Sequence, residues 1–306
     1  MKVLQVENIS KSFGNLKAVD QLSFEVGEGV IFGLLGPNGA GKTTTIRMIN
    51  NIIIPDSGRI SILNHGDFTT ASNHIGYLPE ERGLYRKMKV GELLLFLARL
   101  KAMPKGEAQK DIDYWLQRLD LMEWKKKKVE ELSKGMQQKL QFIGTILHKP
   151  KLLILDEPFM GLDPINTNLI KDIMLELKNN GATIIFSTHL MESAEKLCDE
   201  ILLINKGKNV LSGRLAEVKK RFGRENVVLE FHGDDGFLRT SDQIKKYDYY
   251  GNFVEIQLQQ HADPQKLLIE AMRHAQIRKF EIKEPSLNEI FIETVGNTQT
   301  ISDNLA

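Results

Sequence analysis

The stretch that most constrains this chain is Gly36-Pro37-Asn38-Gly39-Ala40-Gly41-Lys42-Thr43-Thr44, which satisfies the phosphate-loop spacing G-x-x-x-x-G-K-[ST]. The apolar run Val30-Ile31-Phe32-Gly33-Leu34-Leu35 before it reads as a buried strand, and Thr44–Ile49 after it reads as a helix. A triphosphate site needs strand, glycine-rich loop and helix N-terminus in that order. Glycines let successive backbone N–H groups curl around a β-phosphate. Lys42 would set a point charge against the β and γ oxygens, and the Thr43 hydroxyl is placed to ligate Mg²⁺. The loop alone predicts a chain that binds a nucleoside triphosphate.

The 306 residues leave room for one large domain and a small one. An apolar fraction of 42% and a charged fraction of 26% are ordinary for a globular protein. The net charge of +1 gives no global attraction to nucleic acid or anionic lipid. The basic run Lys125–Lys128 lies between helical patterns and reads as a solvated helix end or loop. A single cysteine, Cys198, excludes an intrachain disulfide, suits a reducing compartment and reads as a small packed residue. No leader pattern precedes Val3. The longest apolar candidate, Leu93–Leu100, contains Arg99 and falls well short of the roughly 20 residues that span a bilayer. Any work at a membrane is therefore expected from outside the lipid, through a partner.

Residues 2–29 alternate apolar and polar, through Val3, Val6, Ile9, Val19, Leu22, Phe24 and Val26, and read as antiparallel strands turned at Phe13-Gly14-Asn15. Pro55-Asp56-Ser57-Gly58 reads as a turn, with strands at Arg59–Leu63 and Ile75–Leu78. From Val90 to about Met122 the period is helical, with no strand to interrupt it. Ser133 is a candidate cap for a helix carrying Met136, Leu140, Ile143 and Leu147. Lys151–Leu155 and Thr183–Phe186 read as buried strands. Between them lies a helix begun by Asp163-Pro164, with Leu169, Ile173 and Leu177 inward and Asn179-Asn180-Gly181 as its stop. Strands alternating with helices predict an α/β fold with a parallel sheet and its active residues at strand carboxyl ends. After about Gly223 the texture changes. Strands at Asn226–Phe231, Asn252–Leu258 and Ile277–Ile282 and helices at Asp263–His274 and Ser286–Thr294 predict a small α+β domain over 223–306. The last ten residues are polar and read as a frayed end.

Five further segments accompany the loop in a fixed order, and together they resemble the nucleotide-binding subunit of an ABC transporter over residues 2–222. Phe13, in Lys11-Ser12-Phe13-Gly14, matches the aromatic that stacks on adenine. Leu132-Ser133-Lys134-Gly135-Met136-Gln137-Gln138 matches the LSGGQ signature, with Lys134 for a glycine and Met136 for a glutamine. The resemblance implies that Ser133, Lys134 and Gly135 face the γ-phosphate held by a second subunit. Leu152–Pro158 matches Walker B, which implies Asp156 on Mg²⁺ and Glu157 as general base. Gly161-Leu162-Asp163 matches the interface D-loop, and His189 the switch histidine. A sixth element departs from the pattern. The family carries a metal-sensing glutamine after the strand corresponding to Gly76-Tyr77-Leu78-Pro79, and this chain has Glu80. A carboxylate is the better Mg²⁺ ligand but adds negative charge near the γ-phosphate. The expected outcome is retained coupling with altered metal dependence. If Glu80 points away, Glu81-Arg82 becomes the contact to a membrane partner.

The resemblance implies a P-loop ABC-ATPase core over residues 1–222. That core includes an antiparallel β subdomain and a helical subdomain at about 84–132. It also implies hydrolysis of ATP with Mg²⁺ in a head-to-tail dimer, powering a separate integral-membrane permease from the cytoplasmic face. The extension, with Glu284-Pro285-Ser286-Leu287-Asn288-Glu289-Ile290-Phe291 near its end, resembles that of bacterial exporter ATPases and predicts export. Its other reading is a dimer-stabilising module without a ligand. Two alternatives stand beside transport. One is a soluble relative acting on ribosomes or DNA, opposed by the single phosphate loop, the short helical block and the neutral charge. No nucleic-acid partner is expected. The other is a non-hydrolysing regulator, opposed by Lys42, Asp156, Glu157 and His189.

Overall fold

Alternating burial along the amino terminus builds β1 (Lys2–Phe13) and β2 (Leu16–Gly27), an antiparallel pair turned at Gly14. The computed structural model describes residues 2–63, 71–81, 83–222, 226–259 and 262–303, the last eight without their side chains. Arg82, the 223–225 stretch and residues 304–306 lie outside it. The chain divides into two compact units, Met1–Arg214 and Leu215–Ala306.

In the first unit, β3 (Ile31–Leu35) runs into the phosphate loop and α1 (Lys42–Ile49). β4 (Ser57–Ile62) pairs with the far side of β1, and β5 (Ile75–Leu78) follows. The helical block holds α2 (Val90–Leu100) and α3 (Lys105–Arg118), and leads through short turns to α4 (Lys134–Ile146). Then come β6 (Leu152–Asp156), α5 (Pro164–Asn179), β7 (Thr183–Thr188), α6 (Met191–Leu197), β8 (Glu200–Asn205) and β9 (Lys208–Arg214).

The strands form a three-stranded sheet, β2-β1-β4, and a six-stranded one, β5-β6-β7-β3-β8-β9. All neighbours in the large sheet are parallel except β8 and β9. Every residue of β3, β6 and β7 is buried, as a parallel sheet covered on both faces requires. Val6, Ile9 and Val26 of the small sheet share one core with Leu34, Ile154, Ile185 and the α1 residue Ile46. Phe24 stacks on Phe32 across it, with ring centroids 5.5 Å apart. Truncating a fully buried member such as Ile154 to alanine would cost about 2–5 kcal/mol.

The second unit begins with α7 (Leu215–Arg221) and β10 (Asn226–Gly233), then the one-turn α8 (Phe237–Thr240). β11 (Ile244–Tyr250), β12 (Phe253–Leu258), α9 (Pro264–His274), β13 (Ala275–Lys283) and α10 (Leu287–Asp303) complete it. Its sheet is antiparallel in the order β11-β12-β10-β13. Val227, Leu229, Val254, Ile256 and Leu258 on one face pack with Phe237 and Leu267.

Several expectations shift. The units part at Arg214, eight residues before the change in texture near Gly223, because α7 joins the second unit. The inward face of α5 is Ile170, Ile173 and Met174, and Leu169 and Leu177 are only half-buried. β9 and β11 carry too many polar residues to announce themselves as strands, whereas β8 carries the buried apolar run Ile201-Leu202-Leu203-Ile204, a strand signal that the sequence reading missed. The last helix runs to Asp303, well past Thr294 and into the stretch expected to fray.

Candidate nucleotide site

The order β5-β6-β7-β3 brings four strand ends to one edge of the large sheet. Parallel register sets Leu78 beside Leu155, Asp156 beside Ser187 and Leu35 beside Thr188. Glu80, Asp156, Glu157, His189 and the phosphate loop therefore leave the sheet as neighbours.

Backbone geometry makes two loop glycines obligatory. At Gly36 (φ +150°) an added Cβ would lie 2.2 Å from the Ile204 carbonyl oxygen, and at Gly41 (φ +108°) 2.4 Å from that of Ala18. Lys42, buried at 6% exposure, donates to the Gly36 and Pro37 carbonyls at 2.8 and 3.1 Å. Its Nζ lies 3.8 Å from Glu157 Oε1. Burial holds the ammonium below its ordinary pKa, and the charges of Glu157, Asp156 and Glu80 oppose that shift.

The Thr43 hydroxyl lies 3.3 Å from both Glu80 Oε2 and Asp156 Oδ1. One proton cannot serve both acceptors at once. Glu80 thus points into the site, and Glu81 turns out to an exposed ion pair with Arg47. Arg82, the other residue of the expected alternative contact, lies outside the described residues. Asp156 is fully buried. Its Oδ1 also accepts the Ser187 hydroxyl, and its Oδ2 has no hydrogen-bond partner among the described residues. Burial raises its pKa, the Ser187 and Thr43 hydroxyls lower it, and Glu80 and Glu157 raise it further. An unsatisfied buried carboxylate oxygen beside a threonine hydroxyl and a second carboxylate is a donor set that suits a hard divalent cation.

Glu157 sits at φ +47°, a left-handed conformation that costs a non-glycine residue about 1–2 kcal/mol. That turn carries its side chain away from Asp156 and toward β7. Its backbone N–H donates to Ser187 Oγ at 3.1 Å. Its Oε1 accepts the His189 backbone N–H at 3.1 Å and faces His189 Nδ1 at 2.8 Å, while Thr188 Oγ1 reaches Oε2 at 3.4 Å.

Phe13 is 49% exposed at the end of β1 and lines one groove with the phosphate loop, Glu80 and Glu157. Lys11 Nζ lies 5.9 Å from the centre of its ring. Asp56 anchors this end of β1, with Oδ1 accepting Lys11 Nζ at 2.6 Å and Oδ2 the Ser12 N–H at 2.7 Å. Ser133, Lys134 and Asp163 lie apart, on exposed surface. Ser133 caps α4 by accepting the Met136 N–H at 3.2 Å, and Asp163 caps α5 by accepting that of Asn166 at 2.9 Å. That backbone hydrogen bond holds the Asp163 carboxyl below the usual range. An added Cβ on Gly135 would lie 3.3 Å from the Gly161 carbonyl oxygen, so signature and D-loop are adjacent within one chain.

The ABC transporter family model matches residues 19–160, and that of the ATP-binding protein DrrA1-3-like C-terminal domain matches 213–295. An ABC transporter ATP-binding protein of Bacillus subtilis strain 168, YhaQ, is 48% identical over 294 residues, which are 96% of this chain and 99% of the relative. This chain belongs to the ABC transporter ATP-binding proteins. The linearmycin resistance ATP-binding protein LnrL of the same organism is 33% identical, covering 97% of this chain and 99% of its own. The Nod factor export ATP-binding protein I of Rhizobium etli is 32% identical over 97% of this chain and 94% of its own. Among solved structures, an ATP-binding subunit of an ABC transporter superposes with a TM-score of 0.68 at 31% identity, covering 72% of this chain and 93% of that one.

The ABC fold accounts for both sheets of the first unit. Three further groups in this ABC subunit carried no role in the sequence reading. Ser187 joins Asp156 to the Glu157 backbone, and Thr188 braces Glu157. Gln138 and Gln141 on α4 donate to the Pro158 and Pro79 carbonyls at 3.1 and 3.3 Å, tying the signature helix to the segments after β6 and β5. The available signal was positional, since hydroxyls at a strand end beside Asp-Glu in the adjacent parallel strand fall within bonding reach. Among the described residues no helix is long and apolar enough to cross a membrane.

Proposed function

We propose that this ABC ATP-binding subunit hydrolyses ATP in a head-to-tail pair and thereby drives export by a separate permease at the cytoplasmic face of the membrane. The observation that carries the reading is the split of labour between adjacent carboxylates. Asp156, with no exposed surface, faces Thr43, and Glu157 faces His189 and Lys42 in the groove that the phosphate loop lines.

Phe13 covers one face of adenine, and the phosphate loop and Lys42 cradle the triphosphate. Thr43 and Asp156 would hold Mg²⁺, with Glu80 beside them, and the ion would offset charge on the β and γ oxygens. Glu157 takes a proton from the attacking water, and its contacts to His189 and Thr188 fix its direction. Ser133, Lys134 and Gly135 of the partner subunit's equivalent surface cap the γ-phosphate, and Asp163 lies along that interface. The γ-phosphate thus joins two subunits, so its loss favours reopening.

A groove in the first unit, lined by Tyr85, Leu93, Leu97, Leu100 and Ile52, lies beside the Glu80 segment and offers a permease an apolar seat. Relatives named for linearmycin resistance and Nod factor export support the direction of transport. The test is phosphate release from MgATP by the purified chain, together with affinity capture from detergent-solubilised membranes. A stoichiometric multi-span protein supports the reading. Ribosomal proteins or DNA in its place would remove the transport half and leave the ATPase.

A further inference from the structure

We propose that Glu80 makes this site a divalent-cation site in its own right, one that fills before nucleotide arrives. The inference rests on the reading of Thr43 and Asp156 as metal-holding residues and extends it to the nucleotide-free protein.

Three oxygens from three elements converge: Thr43 Oγ1 at the start of α1, Glu80 Oε2 after β5, and Asp156 Oδ1 at the end of β6. The hydroxyl is 3.3 Å from each carboxylate. Those distances are long for hydroxyl–carboxylate hydrogen bonds, whose usual range is about 2.5–3.0 Å. The Asp156 side chain has no exposed surface, and among the described residues its Oδ2 finds no donor. A buried carboxylate oxygen left bare is costly, and a cation beside it removes the cost.

The local charge balance points the same way. Lys42 is the lysine at hand, and it is directed to the loop carbonyls of Gly36 and Pro37 and to Glu157. Among the described residues neither Glu80 nor Asp156 makes an ion pair. Arg47 is paired with Glu81. Two carboxylates facing one hydroxyl therefore share the Lys42 charge with Glu157, and neither has an ion pair of its own among the described residues.

A glutamine at this position, as the family pattern has it, would offer an oxygen with no charge. One carboxylate and two neutral oxygens make a weak Mg²⁺ site that needs nucleotide phosphates to complete it. Two carboxylates and a hydroxyl supply half an octahedron, with water in the other positions. Glu157 is turned to His189 and Lys42 and stands outside this set of three oxygens. The consequence is an order of events in which metal-free ATP binds to a cation-loaded site.

The probe is Mn²⁺, titrated into the full chain without nucleotide and followed by the electron paramagnetic resonance signal of the free ion. One Mn²⁺ per chain is expected, competed by Mg²⁺. Glu80→Gln should weaken it by about tenfold or more, and Glu80→Asp, which keeps the charge, by only a few-fold. Asp156→Asn should weaken it as Glu80→Gln does. Unchanged thermal melts show that each variant folds. Absence of stoichiometric Mn²⁺ in the millimolar range, or binding indifferent to Glu80→Gln, overturns the proposal. MgATP hydrolysis by the same preparation separates the two ideas. Hydrolysis without prior Mn²⁺ binding sinks this inference alone, and Glu80-dependent Mn²⁺ binding without hydrolysis sinks the ATPase reading alone.

Discussion

His189 meets Glu157 twice, through its backbone N–H at 3.1 Å and its Nδ1 at 2.8 Å, and both contacts fall on the same oxygen, Oε1. The carboxylate is an acceptor, so the imidazole facing it must carry its proton on Nδ1. In the neutral ring this leaves Nε2 as an acceptor, on a side chain 45% exposed. One histidine thereby orients the base and presents a second polar atom outward, where a γ-phosphate or a partner subunit would lie.

Replacing Glu157 with glutamine should separate these tasks. The amide oxygen still accepts the His189 N–H groups, so fold and nucleotide binding persist. The basic oxygen is gone, and turnover should fall by about a hundredfold or more. Phosphate release gives the rate, and gel filtration with ATP should reveal a trapped dimer. Unaltered turnover would remove Glu157 from its role as base.

Phe13 makes a prediction about binding without stability. Its ring is half exposed, so Phe13→Ala should leave the melting temperature nearly unchanged. Loss of a stacking face costs about 1–3 kcal/mol per base, a weakening of roughly fivefold to a hundredfold in ATP affinity. Phe13→Tyr should restore it. A fluorescent ATP analogue titrated into each variant decides the matter, and equal affinity in all three would exclude stacking.

What the sequence could announce depended on how local the cause was. The phosphate loop, Asp156-Glu157 and the Ser133 cap are set by neighbours within a few residues, and spacing revealed them. The buried strands β3, β6 and β7 carry continuous apolar runs and were equally plain. β11, with the sequence Ile-Lys-Lys-Tyr-Asp-Tyr-Tyr, is an edge strand mostly turned to solvent, so its residues carry no apolar alternation. The roles of Ser187 and Thr188 arise only when β6 and β7 pair in register, a relation spread over thirty-one residues of chain. Whether Glu80 turned inward was undecidable from sequence, because it depends on where β5 ends relative to α1.

Alanine at two loop glycines should behave differently. Gly36→Ala sets a Cβ against the Ile204 carbonyl at 2.2 Å in a backbone that must then move, while a Cβ at Gly39 (φ +78°) meets nothing within 4 Å. Gly39→Ala should therefore cost about 1–2 kcal/mol through its left-handed backbone alone. Gly36→Ala should exceed that and abolish nucleotide binding. Urea unfolding of both variants tests the ranking, and equal midpoints would contradict it.

His148 predicts an acid-side loss of stability. Burial, aided by Lys101, pushes its pKa down from 6.5 to about 4, while its Nε2 lies 3.1 Å from the Ile75 carbonyl. The unfolded chain takes up a proton below pH 6.5 that the native state refuses until about pH 4, so stability is full above 6.5 and falls across that window. By pH 5 the loss from this residue should be about 1–2 kcal/mol. His148→Gln removes the titration, so its urea midpoint should fall less between pH 7.5 and 5 than that of the native chain. Parallel curves for the two proteins would assign the effect elsewhere.

Ser133 distinguishes a structural cap from a phosphate contact. Its hydroxyl caps α4 on an exposed surface, and aspartate caps a helix as well as serine does, with added favour from the helix dipole. Ser133→Asp should therefore keep or slightly raise the melting temperature. In the head-to-tail pair the same carboxylate would oppose a γ-phosphate carrying like charge, in a site that excludes water. The measurement is gel filtration with ATP in the Glu157→Gln background, which traps the dimer. Adding Ser133→Asp should return the chain to a monomer at the same protein concentration. An equally populated ATP-dependent dimer would mean that the α4 terminus faces solvent in the closed state, and the head-to-tail arrangement would have to be abandoned.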